Sequence, residues 1–167
     1  NDGVGSAERV STSGLAVVLV RSHSPSQISR EHHDQKTSFF SSLLVRSGKV
    51  LHIGASNYKA WHLAKALKCQ ALNGWTPFAS MQVQYNLVYR EEEREMIPLC
   101  VDEGIGVTAW SAMARGFLAG NRTTDGQGQT ARAKADEMAK RLYFRDSDFV
   151  VQKQLASVAD ARGVPPM

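Results

Sequence analysis

Apolar residues from about residue 43 onward alternate between short continuous runs and helical spacing. Three runs, at residues 50–55, 79–85 and 105–110, predict strands. Residues 43–47 are predicted to end a helix that stops at Gly48. A second helix is predicted between the first two strands, with Asn73-Gly74 ending it and Ser56 or Asn57 as its N-cap. Further helices are predicted over residues 91–103, where Pro98 kinks or restarts the chain, over 131–142, and from about Ser147 to Gly163. A Gly-rich polar loop is predicted over 116–129.

Strands that alternate with helices predict parallel pairing and right-handed crossovers. The apolar character of the strands predicts that both faces of each strand are buried. The pattern therefore indicates an α/β layer or barrel, and periodicity alone does not separate a doubly wound sheet from a (β/α)₈ barrel.

The first 42 residues differ from the rest. Serine is abundant, periodicity is weak, and only residues 15–20 have the composition of a strand. We therefore expect an irregular segment over 1–42, followed by an α/β domain over 43–167. The chain starts at Asn1 rather than at a methionine, and it stops at Met167, shortly after a predicted helix and where a linker to another element should follow. Both ends are therefore expected to be cut.

Composition limits the classes of function. The chain has 167 residues and a net charge of +4, with positive and negative residues interleaved, which disfavours nucleic-acid binding. No apolar run approaches the ~20 residues of a membrane helix, so a cytoplasmic location is expected by elimination. Cys69 and Cys100 are expected to be inert core thiols, with no disulfide and no metal site.

Ligands of parallel α/β proteins lie at the carboxyl ends of the strands. These ends carry Ser56 and Asn57 in the first case and Gln82 in the second, with Gln84, Tyr85 and Asn86 beyond it. The third end carries Trp110 and Ser111, then Arg115 and Gly116. Each residue alone has an ordinary structural explanation, such as a helix cap or a solvated charge. Their common position favours a site for a flat heterocycle, a carboxamide and a phosphate.

Three segments that carry these residues resemble the aldo-keto reductases, in particular the aryl-alcohol-dehydrogenase-like branch. They are residues 45–58 (VRSGKVLHIGASNY), 81–87 (MQVQYNL) and 104–116 (GIGVTAWSAMARG), and Arg162-Gly163-Val164 is similar to a further family motif. The resemblance covers about residues 43–166. It implies a partial (β/α)₈ TIM barrel, with about strands five to seven and their helices.

The resemblance also implies roles for individual residues. Ser56, Asn57 and Gln82 would bind the nicotinamide carboxamide, and Trp110 would stack on the nicotinamide ring. The pyrophosphate would be lined by Ser111, Met113, Arg115 and Gly116. Ala112 departs from the proline that is usual in the family, which implies a less rigid loop.

The family's catalytic Tyr, Lys, Asp and His belong to its first four strands, which nothing in residues 1–42 resembles. No catalytic residue is therefore assigned, and His23, His32 and His33 are interpreted as a polar patch without a metal. The chain is expected to be an NADP(H)-dependent oxidoreductase fragment for aldehydes or ketones, inactive alone, with NAD(H) left open as the cofactor. Open barrel edges are expected to make the isolated chain poorly soluble, partly molten or oligomeric.

Two other interpretations stay open. The chain is also similar to the β subunits of voltage-gated potassium channels, family members that bind the cofactor and a protein partner, and Trp110-Ser111 fits either branch. The abrupt change near residue 42 also fits a degenerate gene product without a function.

Overall fold

A computed structural model describes residues 8–12, 15–21, 27–120, 136, 139 and 142–166, with side chains described from residue 35 onward. The strands are β1 (Glu8–Thr12), β2 (Leu15–Arg21), β3 (His52–Ser56), β4 (Ser80–Gln84) and β5 (Gly106–Trp110). The helices are α1 (Gln27–Arg46), α2 (Ala60–Leu72), α3 (Met96–Asp102) and α4 (Asp146–Ala161), and 3₁₀ turns occupy Glu91–Glu93 and Ala114–Gly116.

The strands form one sheet in the order β1-β2-β3-β4-β5. The β1–β2 pair is antiparallel, whereas β2–β3 and β3–β4 are parallel. Backbone bonds join the start of β4 to the start of β5, from Gly106 N–H to Ala79 O, and their ends, from Tyr85 N–H to Trp110 O. This confirms the predicted α/β order of strand, helix and parallel strand from β3 to β5.

The N-terminal expectation of an irregular segment is wrong for most of the residues described there. Only the strand at residues 15–20 was anticipated, and it is β2, which pairs in parallel with β3. Because α1 connects these two strands, β2-α1-β3 is a further βαβ unit that lies before the predicted ones. The structure therefore contains one more parallel strand than the three that were expected.

Only the end of helix α1 was predicted, and in the part whose side chains are described its buried residues are serines. Ser38, Ser41 and Ser42 are buried and lie at the i, i+3, i+4 spacing of one helix face. Ser42 Oγ accepts the Thr76 N–H at 2.9 Å and donates to Thr76 Oγ1 at 3.2 Å. Small hydroxyl side chains thus supply the contact that aliphatic residues usually make, and a hydropathy pattern does not register it.

The three predicted strands differ in burial. β3 is buried from Ile53 to Ser56, and β4 alternates between buried Met81 and Val83 and half-exposed neighbours. β5 is exposed throughout, with Val107 and Trp110 each 38% exposed. The expected burial of both strand faces is therefore wrong for β5 and for one face of β4. β5 is the last strand of the described sheet and has a described neighbour on one side.

Local signals at helix ends were predicted with mixed success. Gly48, at φ 70°, follows the end of α1, and Gly74, at φ 61°, follows α2, as expected. The N-cap of α2 is Lys59, without a side-chain bond, so the expectation of Ser56 or Asn57 as the cap is wrong. Pro98 lies in the first turn of α3, where its missing N–H costs no helical hydrogen bond.

The chain divides into two compact units. The first unit comprises residues 1–83 and 92–108, and its core includes Ile53, Leu63, Met81 and Cys100, none more than 1% exposed. The second unit comprises residues 84–91 and 109–167, and its core includes Phe117 and Tyr143. Cys100 is buried as expected, whereas Cys69 is half-buried rather than a core thiol.

The remaining predicted elements lie from residue 116 onward, where only part of the chain is described. The helix predicted to end at Gly163 is α4, which ends at Ala161, and Gly163 follows at φ 64°. Most of the predicted 116–129 loop and of the 131–142 helix lie outside the described residues. Among the residues that are described, none of the helices combines the length and the hydrophobicity needed to cross a bilayer.

Candidate functional site

The end of β3 meets the middle of β4 in the first unit, so the expectation that Gln82 lies at the carboxyl end of its strand is wrong. Ser56 is the last residue of β3, is 3% exposed, and is paired in register with Gln82 of β4. Its Oγ donates a hydrogen bond to Gln82 Oε1 at 3.3 Å. Since the two amide heteroatoms of glutamine point in different directions, this bond turns the Gln82 NH₂ group away from Ser56. The parallel register thus brings together two of the predicted site residues.

Asn57 begins the turn that leaves β3. It is exposed and adopts φ 63°, a left-handed conformation that asparagine tolerates better than most residues. The following Tyr58 is buried and stacks on His62 of α2, with ring centroids 4.8 Å apart. The tyrosine thereby anchors the turn, and Asn57 keeps its side chain on the surface of the first unit.

The loop after β5 belongs to the second unit and has unusual backbone geometry. Ser111, Ala114 and Arg115 adopt φ values of 57°, 48° and 57°. A left-handed conformation costs a non-glycine residue roughly 1 kcal/mol or more, and it persists only where the surroundings hold it. The loop's predicted ligand-binding residues therefore depend on the contacts that fix this backbone.

The Tyr143 hydroxyl is the centre of one set of these contacts. It lies 3.0 Å from Gln84 Nε2, 3.1 Å from Asn86 Nδ2 and 3.1 Å from Ser111 Oγ. Asn86 also donates to the Ser111 carbonyl oxygen at 3.0 Å. Ser111 is therefore fixed through its side chain to Tyr143 and through its backbone carbonyl to Asn86.

Arg115 is fixed by an ion pair. Its Nε donates to Asp136 Oδ2 at 2.7 Å, and the other oxygen of Asp136 accepts the Ala139 N–H at 3.1 Å. The Asp136 side chain is 5% exposed and that of Arg115 28% exposed. The hydrogen bond to Asp136 raises the pKa of Arg115, while partial burial opposes that rise. The guanidinium is therefore a permanent positive charge at the end of this loop.

An aromatic cluster in the core of the second unit packs against the loop. Phe117 is fully buried and contacts Phe144 and Phe149 in edge-to-face geometry, at centroid distances of 5.4 and 5.1 Å. Its carbonyl oxygen accepts a bond from Gln152 Nε2 of α4 at 2.8 Å. Met113 packs against the same cluster. The side chain of Met113 thus contributes to the core of the second unit.

Backbone donors in the loop are partly used by the loop itself. The Gly116 N–H donates to the Met113 carbonyl oxygen at 2.9 Å, and the Ala114 N–H donates to Ser111 at 2.7 Å. The role expected for Gly116, a backbone donor to phosphate, would thus require its present bond to be replaced. Ser111 and Arg115 are the side chains of this loop with polar groups suited to an anion.

Four supporting residues were not among the predicted site residues. Gln84 and Asn86 were noted after Gln82, but no partner was assigned to them. Tyr143 and Asp136 are 32 and 21 positions from their partners Ser111 and Arg115, so spacing gave no signal for them. Within the described residues, no group of three or more His, Cys, Asp and Glu side chains is arranged to hold a metal ion. The side chains of His23, His32 and His33 lie outside the described residues.

Comparison with known proteins identifies the family. The aldo/keto reductase family model matches residues 14–166. A Schizosaccharomyces pombe protein provisionally named an aryl-alcohol dehydrogenase is 44% identical over 101 residues, which are 60% of this chain and 28% of that protein. Versiconal hemiacetal acetate reductase of Aspergillus parasiticus is 38% identical over 124 residues, covering 72% of this chain and 35% of its own length.

The fold has a solved counterpart. The glycerol dehydrogenase AKR11B4 of Gluconobacter oxydans superimposes with a TM-score of 0.69 at 19% identity, over 90% of this chain and 43% of that one. The chain thus spans about a third of the curated relatives, and its α/β fold is part of the TIM barrel of the family. The matched region begins at residue 14, well before the boundary near residue 42 that was expected. The chain belongs to the aldo/keto reductase family.

Proposed function

We propose that this chain carries the nicotinamide-binding part of an NADP(H)-dependent aldo-keto reductase that reduces aldehydes or ketones. The observation that carries the proposal is the Ser56–Gln82 pair, which joins the carboxyl end of β3 to the middle residue of the adjacent parallel strand β4. Ligands of parallel α/β proteins bind at the carboxyl ends of the strands. Family membership supports the class of reaction, an oxidoreductase acting on a carbonyl group.

In the first unit, Ser56, Asn57 and Gln82 would bind the nicotinamide carboxamide. A carboxamide has both donor and acceptor groups, and a glutamine amide complements both. The bond from Ser56 fixes the orientation of the Gln82 amide, so binding would cost less side-chain entropy than it would for a free glutamine. Asn57 supplies a second amide from an exposed turn.

In the second unit, Trp110 would stack on the nicotinamide ring, and the loop after it would hold the pyrophosphate. Trp110 is 38% exposed at the end of β5, and an indole ring can stack on a flat heterocycle. Ser111 and Arg115 supply a hydroxyl and a guanidinium, both of which bind phosphate oxygens. Met113 and Gly116 would contribute loop backbone, with the Gly116 N–H leaving Met113 on binding.

The bound dinucleotide would supply a hydride to the carbonyl carbon of the substrate. This chain's own residues would orient the nicotinamide and exclude water from one of its faces by stacking. No residue of the described chain is assigned as the proton donor, and the 167-residue polypeptide is expected to bind the cofactor without turning over a substrate. We propose NADP(H) as the cofactor, with NAD(H) as the alternative to be compared.

The first test is titration of NADPH and NADH into the polypeptide, followed by the fluorescence of the reduced nicotinamide. NADPH is expected to bind, and Gln82→Ala is expected to weaken binding about tenfold because it removes the oriented amide. Gln154→Ala, which removes an exposed amide of α4, is the matched control and should bind like the parent chain. Absence of NADPH binding, or equal loss in both variants, would contradict the proposal.

The second test concerns catalysis. With a reactive aldehyde such as 4-nitrobenzaldehyde, NADPH oxidation by the polypeptide is expected to remain at the background rate. Turnover above background that disappears in Gln82→Ala would show that the polypeptide is active by itself, against our expectation.

A further inference from the structure

We infer that Tyr143 is a positioning residue for the dinucleotide phosphates, because its hydroxyl holds Ser111 as a hydrogen-bond donor that faces the ligand. The inference rests on the proposed function, in which Ser111 lies against the pyrophosphate. It concerns a residue that follows β5 by more than 30 positions and does not itself touch the ligand. Its basis is the hydrogen-bond arrangement around one buried hydroxyl.

The first step is the orientation of Asn86. Its Oδ1 accepts two backbone N–H groups, from Val88 at 3.0 Å and from Tyr89 at 2.9 Å. An oxygen must face these two donors, so the amide cannot be reversed without loss of both bonds. Asn86 Nδ2 is thereby committed to its other partners, the Ser111 carbonyl oxygen and the Tyr143 hydroxyl.

The second step is the direction of the Tyr143 proton. Two amide nitrogens, Gln84 Nε2 and Asn86 Nδ2, donate to the Tyr143 oxygen at 3.0 and 3.1 Å. Their N–H groups occupy the acceptor positions of the phenol oxygen, which has one proton of its own to donate. The remaining neighbour is Ser111 Oγ at 3.1 Å, so the Tyr143 proton is directed to it.

The third step follows for Ser111. Its oxygen accepts from Tyr143, and its own proton must therefore point elsewhere. Phosphate oxygens of a dinucleotide accept hydrogen bonds and do not donate them, so a serine committed to donation is matched to such a ligand. The same contacts hold Ser111 at φ 57°, which lowers the cost of arranging the loop at the moment of binding.

The packing of Tyr143 explains why a tyrosine suits this position. The side chain is 3% exposed, and its ring stacks on Phe117 at a centroid distance of 6.2 Å. Phenylalanine would supply the same ring contact but would leave Gln84 and Asn86 without their common acceptor. The hydroxyl therefore serves the polar arrangement, and Tyr143→Phe removes that arrangement while keeping the packing.

The first experiment is a double-mutant cycle on NADPH affinity. Tyr143→Phe and Ser111→Ala are each expected to weaken NADPH binding about tenfold. The double variant is expected to lose no more affinity than the single variant with the larger loss. This non-additivity distinguishes positioning through Ser111 from a general loss of structure. Additive losses, or an unchanged affinity in Tyr143→Phe, would overturn the inference even if the parent chain binds NADPH.

The second experiment needs no cofactor and separates this inference from the proposed function. Amide hydrogen exchange of residues 111–116 is expected to become about tenfold faster in Tyr143→Phe. Tyr58→Phe, which removes another buried tyrosine hydroxyl, is the control and should leave exchange in this loop unchanged. If the parent chain fails to bind NADPH, the proposed function fails; unchanged loop exchange in Tyr143→Phe would overturn the positioning role in either case.

Discussion

The two units of the chain hold their candidate ligand-binding residues by different means. In the first unit, Ser56 and Gln82 are brought together by the register of two adjacent parallel strands. In the second unit, Ser111 and Arg115 lie on a loop with left-handed residues and are held by Tyr143 and Asp136, which are distant in sequence. One arrangement follows from backbone pairing, and the other depends on side chains.

The difference shows where each arrangement is vulnerable. A strand pair keeps its register as long as its apolar faces stay buried. Replacing a single polar side chain of the pair therefore has a small effect on the stability of the pair. A strained loop relaxes when the contacts that hold it are removed. We therefore expect substitutions in the second unit to have larger effects on stability than comparable ones at the strand pair of the first.

Phe117→Ala should give the largest effect. Phe117 is fully buried against Tyr143, Phe144 and Phe149, and truncation of such a ring leaves a cavity. The expected cost in the free energy of unfolding is about 3–5 kcal/mol, measured by urea denaturation of the 167-residue polypeptide. Hydrogen exchange should locate the loss in the second unit.

The control for this variant is Leu72→Ala, which truncates an apolar side chain that is 77% exposed. Its expected effect lies within about 0.5 kcal/mol of the parent chain. A Phe117→Ala cost below about 1 kcal/mol would show that the aromatic cluster does not hold the loop.

Sequence patterns anticipated the first arrangement better than the second. The runs around β3, β4 and β5 predicted three strand ends, and parallel pairing then brings Ser56 to Gln82. The contacts of Tyr143 and Asp136 cross 32 and 21 residues and leave no periodic signal. Such contacts arise from the packed three-dimensional structure, and a pattern with a period of two or 3.6 residues does not encode them.

The predictions that were wrong for α1 and for the burial of β5 have a different cause. Among the residues of α1 whose side chains are described, the buried ones are Ser38, Ser41 and Ser42, so they give no hydrophobic signal of a helix face. The exposure of β5 has no local signal either, since its apolar sequence is that of a buried strand. Burial depends on what lies beside a strand, which its own sequence does not state.

Asp136→Ala should have an intermediate effect. It removes the partner of Arg115 Nε and also the acceptor of the Ala139 N–H. The expected loss in the free energy of unfolding is about 1–3 kcal/mol, from two bonds to a nearly buried carboxylate. NADPH affinity should fall as well, since Arg115 loses its fixed position.

Asp136→Asn sharpens this test because it keeps an oxygen for the Ala139 N–H while removing the negative charge. Its loss in the free energy of unfolding should be smaller than that of the alanine variant. The difference between the two losses measures the contribution of the hydrogen bond to the Ala139 N–H. Equal stability of all three proteins in urea denaturation would mean that the ion pair does not hold the loop.

Two serine substitutions on the same face of α1 should have the smallest effect on the free energy of unfolding, and together they are the sharpest test of the first unit. Ser42 Oγ has two hydrogen bonds to Thr76, whereas the buried Ser38 Oγ has no hydrogen-bond partner within the part of the chain that the structure describes. Ser42→Ala should cost about 0.5–1.5 kcal/mol, because the Thr76 N–H loses its acceptor. Ser38→Ala should be neutral or stabilising by up to about 1 kcal/mol, since it removes an unpaired buried hydroxyl.

Both variants remove one hydroxyl from a site at most 1% exposed, so packing changes are matched and only the hydrogen bonding differs. Urea midpoints that fall equally in both would show that α1 is held by the volume of its serines, and that its contact with Thr76 contributes nothing of its own.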